Sequence, residues 1–226
     1  MYLAIDTSTD YACLALVENG RIIAEMNWRC GQNHTVQLLP GLSYLLDQQG
    51  VDMSSATGLI VAQGPGSYNG LRVGLSTVKG LAFSLDIPVV GIGTLEVEAY
   101  QHAERGLPVC AIFNAGRGEI AAAVFRKLNG EWARLIAEHV TTLDVLCAGV
   151  REPTIFCGEY APAIAAEVAE RLGDRAVFVS SAAGLRRAGY LAELGAMRLA
   201  SGDYDDASTL QPLYLRAPAI TQPKHH

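Results

Sequence analysis

Residues 2–28, YLAIDTSTDYACLALVENGRIIAEMNW, predict three successive strands that form an antiparallel meander. Hydrophobic runs cover residues 2–6, 12–17 and 21–28. Asn19-Gly20, between the last two runs, is a dipeptide that favours the type I′ turn of a two-residue hairpin. An acidic residue, Asp6, closes the first strand. The chain is therefore expected to begin with a sheet.

Helices and strands alternate after this meander. Hydrophobic periodicity predicts a helix from His34 to about Gln49, with Asn33 as its capping residue, a second helix over residues 71–85 and a third from Leu95. Short apolar runs predict strands over residues 58–63 and 89–92, and a glycine-rich loop precedes the second helix. The predicted order of the first half is βββαβαβα.

The same order begins again at residue 109. Strands are predicted over residues 109–114, 119–127 and from Glu131, with a second hairpin turn at Asn129-Gly130. The remaining predicted elements are strands over 154–157 and 176–179 and helices over 142–148, 162–172 and 184–200. This repetition predicts a duplicated α/β fold, with one domain over residues 1–103 and a second over residues 104–226.

The composition is that of a globular protein and excludes a disordered chain. Half of the 226 residues are hydrophobic, 18% are charged, and the formal net charge is -6. No apolar stretch is long enough for a membrane span or resembles a signal peptide, and the five cysteines form no C-x-x-C pair, so we expect a cytoplasmic protein with buried thiols. Two basic clusters are expected on solvated faces: Arg186-Arg187 and Arg117 with Arg126-Lys127.

A duplicated βββαβα unit whose first strand ends in an acid resembles the actin, Hsp70 and sugar-kinase fold, which is ribonuclease H-like. Three stretches are moreover similar to the TsaB (YeaZ) family: LAIDTST at 3–9, GPGSYNGLRVGL at 64–75 with KGLA at 79–82, and PLYLR at 212–216. Two departures are visible, because Tyr68-Asn69 stands where the family has Phe-Thr, and Asn114 stands where an acid is common.

The resemblance implies a non-catalytic subunit that binds and supports a catalytic paralogue resembling TsaD. That paralogue would transfer a threonylcarbamoyl group to an adenosine of tRNA, and an ATPase resembling TsaE would bind the assembled pair. ATP and metal are accordingly expected on these partners and no cofactor on this chain. The chain is expected to meet tRNA only through the complex.

Two loops are candidates for a vestigial nucleotide site: Asp6, Thr7 and Ser8 after the first strand, and Gly64, Gly66 and Ser67 before the second helix. Backbone N–H groups at a helix N-terminus could hold a phosphate, but the glycine spacing is neither that of a dinucleotide fold nor that of a P-loop. The alternative is a pair of tight turns, in which removing Asp6 would cost one hydrogen bond, about 1 kcal/mol. An ATP-dependent enzyme of the sugar-kinase type remains an alternative function.

No catalytic residue or metal ligand is predicted. Ser76 and Lys79 form an S-x-x-K pattern that lacks its companion motifs, and the histidines, including His225-His226, form no metal-binding pattern. The resemblance adds that Thr94 and Glu98 stand where the paralogue has the two imidazoles of its H-x-x-x-H helix. A metalloprotease is therefore the alternative with least support.

Two helices carry an apolar row on the face that should be polar. In the helix over residues 34–49, the core stripe comprises Leu38, Leu39, Leu42, Leu45 and Leu46, and the opposite row comprises Val36, Pro40 and Tyr44. The back face of the helix over residues 71–85 comprises Val73, Ser76, Gly80 and Phe83. These two rows predict a partner interface, with burial inside the chain as the alternative. Since partner and subunit share a fold, the same surface is expected to form a homodimer when the partner is absent.

Overall fold

The structure, a computed structural model, describes residues 1–216, so that His225-His226 lie outside the described residues. Ten strands and six α-helices follow one another in this part of the chain. The strands are β1 (Tyr2–Asp6), β2 (Tyr11–Glu18), β3 (Arg21–Arg29), β4 (Gly58–Gly64), β5 (Val89–Gly93), β6 (Val109–Gly116), β7 (Glu119–Leu128), β8 (Glu131–Thr141), β9 (Thr154–Cys157) and β10 (Ala176–Phe178). The helices are α1 (His34–Gln49), α2 (Tyr68–Leu85), α3 (Thr94–Tyr100), α4 (Leu143–Gly149), α5 (Ala161–Leu172) and α6 (Ala188–Ala200).

The strands form two five-stranded mixed sheets, which confirms the duplicated fold. Their orders are β3-β2-β1-β4-β5 and β10-β9-β6-β7-β8. In the first sheet β1 is antiparallel to β2 and parallel to β4, and in the second β6 is antiparallel to β7 and parallel to β9. Because β1 and β4 are parallel neighbours, their carboxyl ends point the same way. The loops after β1 and β4 therefore lie side by side at one end of the first sheet.

Helices cover both faces of the first sheet. On one face, α1 and α2 pack leucines and valines against β1, β2 and β4. On the other face lies α6, although it comes from the predicted second domain. Strands β1–β5 of the first sheet precede residue 103 and strands β6–β10 of the second follow residue 104, whereas α6 packs against the first sheet. Without α6, the apolar residues Ala4, Ile60 and Val90 would face water.

Local details differ from prediction at three helix starts. Ser67 caps α2 by accepting from the Gly70 N–H, so this helix begins at Tyr68 rather than at residue 71. The last helix begins at Ala188 rather than at residue 184. Asn33 precedes α1 but makes no side-chain capping bond, because its backbone is not in the extended conformation typical of a cap.

The predicted burial of the thiols is confirmed, since all five cysteines are buried and unpaired. Burial raises the pKa of the Cys110 thiol to about 12, and it also raises the pKa of Cys13 and Cys157. Within residues 1–216, every helix is too short or too polar to cross a bilayer.

Candidate functional site

The two loops predicted as a nucleotide site lie directly against each other. The Ser67 N–H donates to the Ser8 carbonyl at 2.6 Å, and the Thr7 hydroxyl donates to the Gly70 carbonyl at 2.7 Å. A Cβ atom at Gly66 would lie 2.2 Å from the Ser8 carbonyl oxygen, and one at Gly70 would lie 2.0 Å from that of Thr7. The contacts therefore favour the tight-turn interpretation, in which glycine permits two backbones to touch.

Asp6 is buried and fully engaged at the end of β1. Its Oδ1 accepts from the Ser8 N–H at 2.8 Å and from the Ser8 hydroxyl at 2.6 Å, and its Oδ2 accepts from Arg186 at 3.0 Å. Asp6 thus makes two hydrogen bonds and an ion pair, where the sequence led us to expect one hydrogen bond. A buried carboxylate with a buried cationic partner is far more costly to remove than a surface turn bond.

Arg186 is the residue of this site that sequence reasoning missed. It was predicted on a solvated face, but its side chain is 2% exposed and forms ion pairs with Asp6, Glu98 and Glu159. The neighbouring Arg187 does lie at the surface, where it pairs with Glu25. The backbone before α6 is extended, and successive side chains of an extended chain point to opposite sides. Because the sequence predicted a helix from residue 184, this alternation is apparent only from the structure.

The cleft between the sheets holds a cavity of about 370 Å³ in front of these loops. Among residues 1–216 no lysine, arginine or histidine lines it, and its charged lining residues are Asp10 and Glu159. Asn114, at the position where an acid is common, also lines it and accepts from the Gly116 N–H at 2.8 Å. The carboxylates of Asp10 and Glu159 make this wall of the cavity electrostatically unfavourable for a phosphate that carries no metal ion.

Thr94 and Glu98 begin and end one turn of α3, and both are fully buried. The Thr94 hydroxyl accepts from the Gly64 N–H at 3.0 Å, and Glu98 accepts from Arg186 at 2.7 Å. Burial raises the pKa of Glu98, against the opposing charge of Arg186. With Arg186 in place, residues 1–216 contain no group of three His, Cys, Asp or Glu side chains that could hold a metal ion. Thr94 thus connects α3 to β4, and Glu98 connects α3 to the segment before α6.

The S-x-x-K pattern on α2 has no catalytic geometry. Ser76 is exposed, whereas the Lys79 ammonium donates to the carbonyl oxygens of Ser208 at 3.2 Å and Leu210 at 3.1 Å. Lys79 therefore tethers the segment after α6 to α2.

The apolar rows on α1 and α2 are exposed on the outside of the first sheet. Val36 is 67% exposed, Tyr44 57% and Phe83 65%, and Pro40, Ser76 and Gly80 are exposed as well. Val73 differs from the prediction, because it is partly buried against the core. Burial inside the chain, the alternative interpretation, thus applies to Val73 alone among the seven predicted residues.

Leu39, predicted in the core stripe, is 56% exposed and extends the outer row. Trp28 and Met26 of β3 pack against the helix at Gly41, on the side away from Leu39. Their contact rotates the buried stripe of α1 toward Gly41 and leaves Leu39 outside. We call the resulting exposed set the docking surface: Val36, Leu39, Pro40, Tyr44, Ser76, Gly80 and Phe83.

Comparison with known proteins gives consistent relatives. The family described as TsaD, tRNA N6-adenosine threonylcarbamoyltransferase, matches residues 28–221. The tRNA threonylcarbamoyladenosine biosynthesis protein TsaB of Bacillus subtilis is 30% identical over 95% of this chain and 93% of its own length. The TsaB protein of Haemophilus influenzae is 27% identical over 95% of this chain and 92% of its own.

Solved structures agree with these sequence relatives. YeaZ from Pseudomonas aeruginosa superposes with a TM-score of 0.77 at 28% identity, covering 94% of this chain and 99% of that one. The ethanolamine utilization protein EutJ from Carboxydothermus hydrogenoformans, at 13% identity and a TM-score of 0.51, shares the fold alone. Matches along nearly the whole length, together with the motifs at residues 3–9 and 64–75, place this chain in the TsaB (YeaZ) family.

Proposed function

We propose that this chain is a non-catalytic subunit that docks onto a TsaD-like catalytic paralogue in the biosynthesis of threonylcarbamoyladenosine in tRNA. The docking surface carries the proposal. Four large apolar side chains, Val36, Leu39, Tyr44 and Phe83, are each more than half exposed on two neighbouring helices. An apolar patch of this kind on a small protein marks a site of association.

The contacts between the two loops and around Asp6 support a binding role over the ATP-dependent alternative. The loops that would receive phosphate hold each other, and Asp6 is paired with an arginine of the same chain. The TsaB and TsaD names of the relatives supply the pathway and the kind of partner. In this proposal a TsaE-like ATPase joins the assembled pair, ATP and metal reside on the partners, and tRNA is reached through the complex in the cytoplasm.

Symmetry extends the proposal to the isolated chain. A catalytic paralogue with the same fold presents a similar pair of helices, so a surface that fits that pair can also meet a second copy of itself across a two-fold axis. The homodimer and the complex with the paralogue would then use the same residues and compete.

Gly80→Arg tests the docking surface, because Gly80 belongs to it and a Cβ there meets no atom within 4 Å. Burying an unpaired guanidinium at close helix contact should weaken association at least about 100-fold. Gly149→Arg is the matched control, since Gly149 is an exposed helical glycine of α4 with equally open space. Sedimentation velocity of each variant, alone and with the TsaD protein of the same genome, measures both assemblies.

Circular dichroism shows whether each variant is folded. A folded Gly80→Arg protein that retains wild-type homodimer and partner binding would show that the surface is not the interface. Should Gly80→Arg not fold, Phe83→Asp provides the same test at an exposed side chain. Modification of tRNA by the reconstituted proteins should fall together with partner binding.

A further inference from the structure

The Arg186 guanidinium is saturated by acceptors in the cleft. Its Nε donates to Glu98 at 2.7 Å, Nη1 donates to Asp6 at 3.0 Å and to the Ser8 hydroxyl, and Nη2 donates to Glu159 at 2.9 Å and to the Thr9 hydroxyl at 3.2 Å. A guanidinium has five N–H groups, so every donor has an acceptor. A buried polar network stabilises a protein when every donor and acceptor in it is paired, and the Arg186 donors meet this condition.

The three carboxylates come from separate parts of the fold. Asp6 ends β1 of the first sheet, Glu98 lies on α3, and Glu159 follows β9 of the second sheet. The arginine itself belongs to the segment before α6, where the Asn27 side chain donates to its carbonyl oxygen at 2.9 Å. Its guanidinium carbon also lies 5.3 Å from the centre of the Phe113 ring on β6. One side chain therefore joins both sheets across the cleft.

Without this cation the cluster would be unstable. Asp6 and Glu98 are completely buried, whereas the Glu159 side chain is 36% exposed at the wall of the cavity. Three carboxylates within reach of one guanidinium repel one another once it is removed, and they must then take up protons or another cation. Carboxylate and hydroxyl oxygens are the ligands that hard divalent cations prefer.

We propose that Arg186 is the built-in counter-ion of the cleft: it takes the place of a hydrated divalent cation, fastens the two sheets together and keeps metal ions and metal-bound phosphates out. The cation of the site is then covalently part of the chain. The cleft cannot load a metal while the guanidinium remains in place. This inference does not depend on docking to a paralogue, since it concerns contacts within one chain.

The neighbouring arginines supply a matched pair of variants. Arg186→Met keeps an unbranched apolar stem but removes the charge and all five donors. Arg187→Met makes the same change at a side chain that is 55% exposed and paired with Glu25 at the surface. Thermal unfolding of both variants and of the wild-type protein is measured without and with millimolar MnCl₂.

Arg186→Met should melt about 10 °C below the wild-type protein, because it leaves buried carboxylates unpaired, whereas Arg187→Met should melt within about 2 °C of it. Manganese should raise the melting temperature of Arg186→Met by at least about 3 °C and should not raise that of the other two proteins. Manganese electron paramagnetic resonance should show one bound ion per chain in Arg186→Met only.

Equal melting of the two variants would overturn the fastening role. The absence of a manganese response in Arg186→Met, or an equal response in the wild-type protein, would overturn the counter-ion role. Should Arg186→Met not fold, Arg186→Lys is measured instead: an ammonium keeps the charge but offers three donors, so this variant should be folded and less stable than wild type. Wild-type stability of Arg186→Lys would contradict the proposal.

Discussion

The Thr7 hydroxyl donates a hydrogen bond to the Gly70 carbonyl oxygen, with 2.7 Å between the two oxygens. This bond ties the loop after β1 to the first turn of α2. The helix approaches so closely that Gly74, one turn further along, would place a Cβ 2.4 Å from the same hydroxyl. Only glycine therefore fits at residues 70 and 74, where α2 contacts Thr7.

Gly70→Ala should destabilise the protein by about 2 kcal/mol or more, because the new methyl group would lie 2.0 Å from the Thr7 carbonyl oxygen and the two loops must separate. Gly80→Ala, in the same helix but with open space around it, should instead stabilise the protein by about 0.5–1 kcal/mol. Urea denaturation measures both changes. Equal free energies of unfolding for the two variants would contradict the close packing of the loops.

Asp6→Asn should lower the free energy of unfolding by about 3 kcal/mol or more, because it breaks a buried ion pair and leaves Arg186 short of one charged partner. Asp10→Asn, in the same loop but at an exposed position, should change it by less than about 0.5 kcal/mol. Both are measured by urea denaturation. Folded Asp6→Asn should still bind the paralogue, since Asp6 is buried and does not belong to the docking surface. Loss of binding by folded protein would assign the cleft a role in assembly.

The neighbouring leucines of α1 should separate stability from association. Leu38 is 1% exposed and Leu39 56%. Leu38→Ala should destabilise the protein by about 3 kcal/mol through a core cavity, whereas Leu39→Ala should leave stability within about 0.5 kcal/mol and weaken the homodimer. Denaturation and sedimentation are measured on both variants. A Leu39→Ala protein that dimerises as tightly as wild type would remove Leu39 from the docking surface.

Stability should fall in mild acid because of His102. Burial, with a smaller contribution from Arg105, lowers the pKa of His102 to about 4. The unfolded chain takes up a proton on this ring below about pH 6.5, so stability is lost as the pH falls from about 6.5 and the loss is complete below about 4. The total is at most about 3 kcal/mol.

His102→Gln should remove this part of the pH dependence. The free energy of unfolding is measured in urea for both proteins. The value for His102→Gln minus the value for wild type should increase as the pH is lowered from 8 to 5. At pH 8 both side chains are neutral, so that measurement isolates the packing cost of the substitution. A difference between the two proteins that is constant over this range would show that His102 does not cause the acid sensitivity.

Purified wild-type protein should contain no stoichiometric zinc or iron. Thr94 accepts the Gly64 N–H and Glu98 is bound to Arg186, so neither side chain is available to a transition metal. Inductively coupled plasma mass spectrometry measures this, with the TsaD protein prepared in parallel as a positive control. One tightly bound ion per chain would contradict the prediction.

Local signals predicted most of the fold. The dipeptides Asn19-Gly20 and Asn129-Gly130 form the turns of both meanders, because their positive backbone φ angles suit the twist of paired strands. Hydrophobic periodicity placed α1 over its observed range. Helix starts were less accurate, since the residues before α6 are shaped by contacts to β3 through Asn27 and Glu25, which lie about 160 positions away in the chain.

The candidate site was predicted in part. A strand-end turn at Asp6 and Ser8 was one of two alternatives, the other being a vestigial phosphate loop. The side-chain bonds of that turn are present, and both partners lie two residues apart. The prediction that Leu39 is buried was wrong. Helical angles give the direction of each side chain around α1, but only the position of Trp28 shows where the buried face of the helix ends.

The sequence by itself determined the order of strands and helices, the paired meanders and the family motifs, since each depends on residues close together in the chain. Tertiary structure alone decided what the cleft contains. Arg186 and Asp6 are 180 residues apart, and nothing near either one distinguishes Arg186 from the exposed Arg187. Which arginine becomes buried depends on how α6 crosses the first sheet, because a guanidinium leaves water only where several carboxylates from distant segments converge to receive it.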